Sequence, residues 1–361
     1  MLTRKMTFPK KASASRFQAN IQAALLLGFL LVASSTGSAF AGEFQRDFQF
    51  ETDELALANL IGAIEVTGGS SKEFIVEIEI RGEDAEEGLV KFAVEKGRKT
   101  SLAVQYPTDK HRKYIYPPLG SSSSTTFAFD TERDSGGSWL KKVFSGAFGD
   151  RIKVSGRGSG LEVWADIKIQ VPDGGTLTMR NGVGKVHAEN VDGDLVLDTS
   201  SGSVDAEGIR GNLLIDTGSG RVTVSDVQGD LLVDTGSGRV TVNGVKGDLN
   251  IDTGSGGVKA RRIESDEAKI DTGSGSVVLE LDRMGSGHFL VDTGSGSVEL
   301  VLPSDASARI VADTGSGGIH NHVKDARVRK KDRDRLEMTV GDGEARVRLD
   351  TGSGSVTIRQ Q

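Results

Sequence analysis

The chain has no cysteine, only six prolines, and aromatics at 5% of its 361 residues. Without cysteine, disulfides, thiolate metal sites, cysteine nucleophiles and lipid attachment through cysteine are excluded. The 48 glycines follow no G-X-Y period and are accompanied by too little proline for collagen. A formal charge of −7 lacks the basic footprint of a general nucleic-acid binder, so no nucleic-acid partner is expected. Long apolar runs are also missing. The longest, Ala23–Ala33, falls short of the ~20 residues needed to span a bilayer.

That run reads instead as the middle of a leader. Arg4, Lys5, Lys10, Lys11 and Arg16 precede it without an acidic residue, and Ala39-Phe40-Ala41 follows as an A-x-A cleavage site. Residues 1–41 are therefore expected to be a signal peptide, with a mature start at Gly42. Its removal leaves 39 basic against 51 acidic residues, a charge of −12. The expectation is an exported protein, periplasmic or extracellular and envelope-associated, with no transmembrane segment after cleavage.

What the sequence does have is a repeat. Asp-Thr-Gly-Ser-Gly begins at Asp216, Asp234, Asp252, Asp271, Asp292, Asp313 and Asp350, with a variant at Asp198 and a degenerate copy at Arg180. From Arg180 the spacings are 18, 18, 18, 18, 19, 21, 21 and 37. The last is near two periods and predicts a coil between Asp313 and Asp350 that has lost its signature. Alternation flanks each motif: Leu213 and Ile215 lie two apart before Asp216, and Val222 follows it, with polar residues between. Period two on both sides of a glycine-rich corner predicts strand, tight turn, strand. An 18-residue unit is too short for a βαβ crossover. The predicted fold is therefore all-β, a single-stranded parallel β-helix (β-solenoid) with coils of ~18–21 residues, about ten in all. Residues 180–361 form the regular array. Arg346, Arg348, Arg359 and the tail Gln360-Gln361 are placed to blunt its C-terminal edge.

Residues 42–179 are expected to be N-terminal β coils carrying an insertion, 106–150. Asn59–Val66 resembles a coil of the later type, and residues 83–96 fit either a short helix or a strand. The insertion holds Pro107, Pro117, Pro118 and a serine run. It also holds eight of the nineteen aromatics: Tyr106, Tyr114, Tyr116, Phe127, Phe129, Trp139, Phe144 and Phe148. Such a stretch reads either as a cap on the solenoid or as a binding loop.

Asp-Thr-Gly also occurs in aspartic proteases, where two carboxylates share a proton. That chemistry needs two loops brought face to face, and copies stacked along one edge do not supply it. The turn reading is that Asp accepts hydrogen bonds from following N–H groups while glycine permits φ > 0. A calcium ladder on the Asp row lacks the G-G-x-G-x-D spacing of calcium-binding β-rolls. His320 and His322 share a strand face without a visible third ligand. Gly156–Gly160 lacks the Lys-Ser/Thr of a phosphate loop. The basic run Lys324–Arg335 reads as a solvated loop or a contact for anionic polymer. No catalytic, cofactor-binding or metal-ligating residue is assigned, and no cofactor is expected.

The Asp-Thr-Gly-Ser-Gly-x-Val coils, the lead-in Ile167–Pro172 and the terminal Leu349–Val356 resemble the DUF4097 family of bacterial β-strand-repeat proteins, catalogued as candidate adhesins. The resemblance spans about Leu55 to Ile358. It implies a β-helical, envelope-associated protein and brings no active site with it. The function expected is an exported, non-catalytic structural or adhesive protein whose partner is a glycan or an envelope surface protein. A polysaccharide-acting β-helix enzyme and an envelope-stress regulatory partner using the aromatic insertion are the alternatives.

Overall fold

A computed structural model describes residues 43–97, 99–127 and 151–361. The expected signal peptide and residues 128–150 of the insertion lie outside them. Each repeat forms two strands. Leu213–Ser219 buries Leu213 and Ile215 and turns Leu214 and Asp216 outward, while Val222–Gln228 buries Val222, Val224 and Val227. Successive coils pair in parallel and in register, Leu213 with Leu231 and Val222 with Val240. Each buried side chain thus stacks on its counterpart at ~4.8 Å, and branched aliphatic residues fill the space between two sheets.

The motif-bearing strands build a fourteen-stranded sheet, here the Asp sheet, and the strands after the motif a thirteen-stranded one, the Val sheet. Setting aside the end strands that pair antiparallel, three in the first and two in the second, leaves eleven coils of two strands. Ten steps at ~4.8 Å make a stack of about 48 Å. The parallel β-solenoid expected from the repeats is what the chain forms.

Two backbone columns shape the coil. Gly220, Gly238 and Gly256 turn the chain between sheets at φ +150 to +157, and a Cβ there would sit 1.8–2.0 Å from the carbonyl oxygen of the matching glycine one coil back. Only glycine fits. A second bend, in the Val sheet, puts Asn190, Gly208, Asp226, Gly244 and Arg262 all at φ between 52 and 84. Here glycine alternates with side chains for a steric reason. A Cβ on Gly244 would meet Asp226 Oδ1 at 2.7 Å, so the glycine makes room for its neighbour's carboxylate.

At both ends the chain departs from sequential stacking. The first coil, Glu54–Ile61 with Ile64–Gly69, is not outermost. It lies between the coil of Gly175–Val183 and Val186–Glu189 and an outer coil made later, Thr100–Gln105 with Trp164–Pro172. The last coil is enclosed in the same way. Ala345–Thr351 lies between His288–Thr293 and Ala308–Thr314, and Val356–Gln360 between Val298–Leu302 and Ile319–Asn321. The 37-residue interval therefore contains no degenerate coil. It holds the short strand Ile319–Asn321 and an antiparallel hairpin, Arg327–Lys331 with Arg335–Val340, laid on the outer edge of the Asp sheet. Arg346, Arg348 and Arg359 consequently stand on the penultimate coil and do not form the edge, contrary to the sequence expectation.

The N-terminal edges are covered too. Phe44–Phe50 and Phe74–Arg81 add antiparallel strands to the Val sheet, and Lys91–Glu95 resolves the helix-or-strand ambiguity as a strand on the Asp sheet. The tyrosines of the described part of the insertion pack inward. Tyr106, Tyr114 and Tyr116 are buried, with edge-on contacts from Tyr106 to Tyr114 and from Tyr116 to Trp164. Lys113–Ile115, Ile152–Ser155 and Ser124–Phe127 form a separate three-stranded sheet. Gly156–Gly160 turns the chain, as expected of it.

Candidate functional site

Within the repeated motif, the threonine faces the core and the aspartate faces out. Thr199, Thr217, Thr235, Thr253, Thr272, Thr293, Thr314 and Thr351 are all buried, and Asn59 and Asn181 continue their column toward the N-terminus. Asn181 Nδ2 donates to Gly62 O and Asn59 Nδ2 to Ala165 O, while Tyr106 OH closes the column, donating to Ile61 O at 2.8 Å with Asn59 Oδ1 at 3.2 Å. Burial pushes the Tyr106 hydroxyl's pKa well above its usual range, so it stays a donor. In the four later copies the threonine makes the turn: Thr293 Oγ1 accepts from Gly296 N (3.1 Å) and donates to Gly275 O (2.8 Å). Thr272, Thr314 and Thr351 repeat both bonds. The turn bond expected from Asp comes in these copies from Thr.

The outward aspartates form a single in-register row across the Asp sheet, in the order Asp198, Asp216, Asp234, Asp252, Asp271, Asp292, Asp350, Asp313. An arginine closes each end. Arg180 pairs with Asp198 at 3.1 Å, and Arg335 of the hairpin with Asp313 at 3.0 Å. Like carboxylates directly opposite one another repel. Accordingly, burial first, then Asp271 and Asp350, raise the pKa of Asp292, against the pull of Arg348 and Lys269. Beside this row runs a track of glycines, Gly218, Gly236, Gly254 and Gly273, where a Cβ would meet the preceding coil's backbone at 2.4–2.6 Å. Bare backbone is thus presented next to regularly spaced charge.

Four residues before each aspartate, a second exposed row crosses the same face. Its acidic half is a ladder in which each side chain accepts from the next coil's backbone: Asp194 from Asn212 N, Asn212 from Asp230 N, Asp230 from Asp248 N and Asp248 from Glu267 N, at 2.7–3.1 Å. The row then changes sign. Beyond Glu267 come His288, Arg346, Arg309, Thr339 and Arg327, each opposite the next. Sequence reasoning missed this change. Its signal was present, since Arg309 and Arg346 each stand four residues before a motif aspartate.

Elsewhere the polar groups are committed to structure. At the N-terminal end of the Val sheet, Glu65, Glu77, Glu79, Arg81, Asp166 and Lys168 line a groove. Asp166 there accepts from Ala63 N at 2.8 Å, and Arg81 pairs with Glu79 at 2.5 Å. His320 and His322 are at most half-buried at the short edge strand. Among the described residues no group of three His, Asp or Glu side chains converges as a metal site, and no helix is long and apolar enough to cross a membrane.

Comparison with known proteins adds three findings. The sequence matches the Toastrack DUF4097 family over residues 77–359. Among solved structures, the chain is similar to a candidate cell adhesion protein from Clostridium sporogenes, at 12% identity over 88% of this chain and 99% of that one, TM-score 0.20. A candidate adhesin from Bacteroides fragilis gives 12%, 89% and 98% with TM-score 0.38. A candidate lipid-binding protein from Parabacteroides distasonis gives 12%, 88% and 97% with TM-score 0.39. No curated protein matches the chain.

Proposed function

The chain belongs to the Toastrack DUF4097 family, and from that premise we propose an exported, non-catalytic binding protein of the cell envelope with an adhesin-like role. The observation that carries the reading is the outer face of the Asp sheet. Its eight in-register aspartates and adjoining glycine track repeat one chemical unit at the strand spacing. A ligand with its own repeat meets such a face at several points at once, and modest contacts then sum through effective concentration. The leader read from residues 1–41 supplies the route out of the cytoplasm. The test has two arms. N-terminal sequencing of the exported form is expected to begin at Gly42. Glycan-array binding with a parallel reducing-end assay is expected to show retention without cleavage; turnover of any polysaccharide would replace this reading with an enzymatic one.

A further inference from the structure

Most charged side chains at the C-terminal end of the Asp sheet are paired. Arg335 contacts Asp313 and Glu337, Arg348 contacts Asp350, and Arg359 of the neighbouring sheet contacts Glu299. Arg309 and Arg346, like Arg327, Lys331 and Arg333 of the hairpin, are not among the described residues. Both are exposed, they stand directly opposite each other on adjacent strands, and among the described residues neither has an acidic partner. Two guanidinium groups opposite each other repel, so this placement opposes stability and calls for another explanation. The row continues with His288 on one flank, 3.8 Å from Glu267 where the row changes sign, and with Thr339 and Arg327 on the other, the Arg327 guanidinium also donating to Gly341 O. Spanning five strands, it is about 19 Å long. The hairpin carries further exposed cations, Lys331 and Arg333, outside the row, Lys331 standing opposite the buried Leu336.

We propose that the arginine row His288–Arg346–Arg309–Thr339–Arg327 is a binding strip for an anionic polysaccharide, whose carboxylate or sulfate groups accept the guanidinium forks. This deepens the envelope-binding function proposed above and rests on it. Three features select the polymer. Guanidinium forks match planar oxyanions in two-point contact. The strip is flat and longer than one small anion can occupy. It also lacks what other polyanionic surfaces require: after Trp164 the only aromatic is Phe289, which is buried, so nothing is available to stack on bases or to enter a bilayer interface. The acidic face of a second copy is the remaining competitor: its ladder carboxylates already accept backbone N–H groups, and contact through its aspartate row would register as self-association in the test below.

The test titrates the purified full chain with polygalacturonate fragments, neutral dextran and phosphatidylglycerol vesicles at low and high ionic strength. Polygalacturonate binding that weakens with salt is expected, with none to dextran. Loss of two charge-assisted contacts in R309Q/R346Q lowers affinity about tenfold or more. The same variant keeps or raises the melting temperature, because the repulsion is relieved. The control K331Q/R333Q, on the flanking hairpin, retains most of the binding. Equal binding by R309Q/R346Q, preference for the vesicles, or self-association that saturates the row would overturn the proposal. If the wild type binds other glycans on the array but not polygalacturonate, the strip fails while the envelope-binding function stands.

Discussion

Thr235 and Thr293 occupy the same place in the same five-residue motif, yet their hydroxyls keep different company. Thr293 accepts one bond and donates another inside the core, whereas Thr235 Oγ1, like those of Thr199, Thr217 and Thr253, is buried without a partner. Leaving both partners of Thr293 unsatisfied costs about 1–3 kcal/mol, while removing an already unpaired hydroxyl is neutral or favourable. Thr293→Val is therefore expected to lower stability by that amount in denaturant titration, and Thr235→Val to leave it unchanged or raise it. Asp292 carries the other prediction at this scale. Burial and two flanking carboxylates raise its pKa in the folded chain. A raised acid pKa contributes stability below the unfolded value and loses it as pH rises through the folded value. Charged Asp292 thus opposes folding at neutral pH. Asp292→Asn is expected to raise the melting temperature at pH 7, with the gain vanishing near pH 3.

At the scale of the coil, adjacent glycines have opposite roles. Gly256 sits at φ +157, where a Cβ would lie 1.9 Å from the Gly238 carbonyl oxygen, while Gly257 has no left-handed φ and the nearest atom a Cβ there would meet is 3.4 Å away. Its counterparts Arg221 and Arg239 carry long side chains. Gly256→Ala is expected to cost well over ~1 kcal/mol, and Gly257→Ala to gain about 0.4–1 kcal/mol by restricting the unfolded chain; equilibrium unfolding of the two variants measures both. These elements were largely legible in the sequence because period two and repeated glycines report directly on strand faces and corners. The bend through Asn190, Gly208, Asp226, Gly244 and Arg262 was not: residues of four different kinds share one backbone conformation imposed by stacking. Of the candidate site, the aspartate row could be read from the motif. Of the arginine row, the place of Arg309 and Arg346 on the face was signalled by their position before the motif, but their adjacency was not, because they become neighbours only through the interposed last coil.

At the scale of the whole molecule, motif spacing misleads about order. Asp271, Asp292 and Asp313 are evenly 21 residues apart, which suits successive coils, yet Asp350 stands between the last two. Packing supplies a reason. Val347 and Leu349 cover Phe289 and Val291, whereas the coil moved outward offers Ile310 and Ala312. A chain ending at Gly343 still has the spacing to pair residues 308–314 directly with 288–293. Because the protein has no cysteine, L290C/V311C can report it. In the full chain these positions are two strands apart, about 10 Å, beyond disulfide reach. The disulfide is expected to form in the truncated chain and not in the full one; the reverse result would show that the outer coil cannot take the inner place. The enclosed last coil then has a consequence in time. The outer strand Ala308–Thr314 is synthesised before Ala345–Thr351, the strand that separates it from His288–Thr293, so this end cannot reach its final order until residues 345–360 have been made.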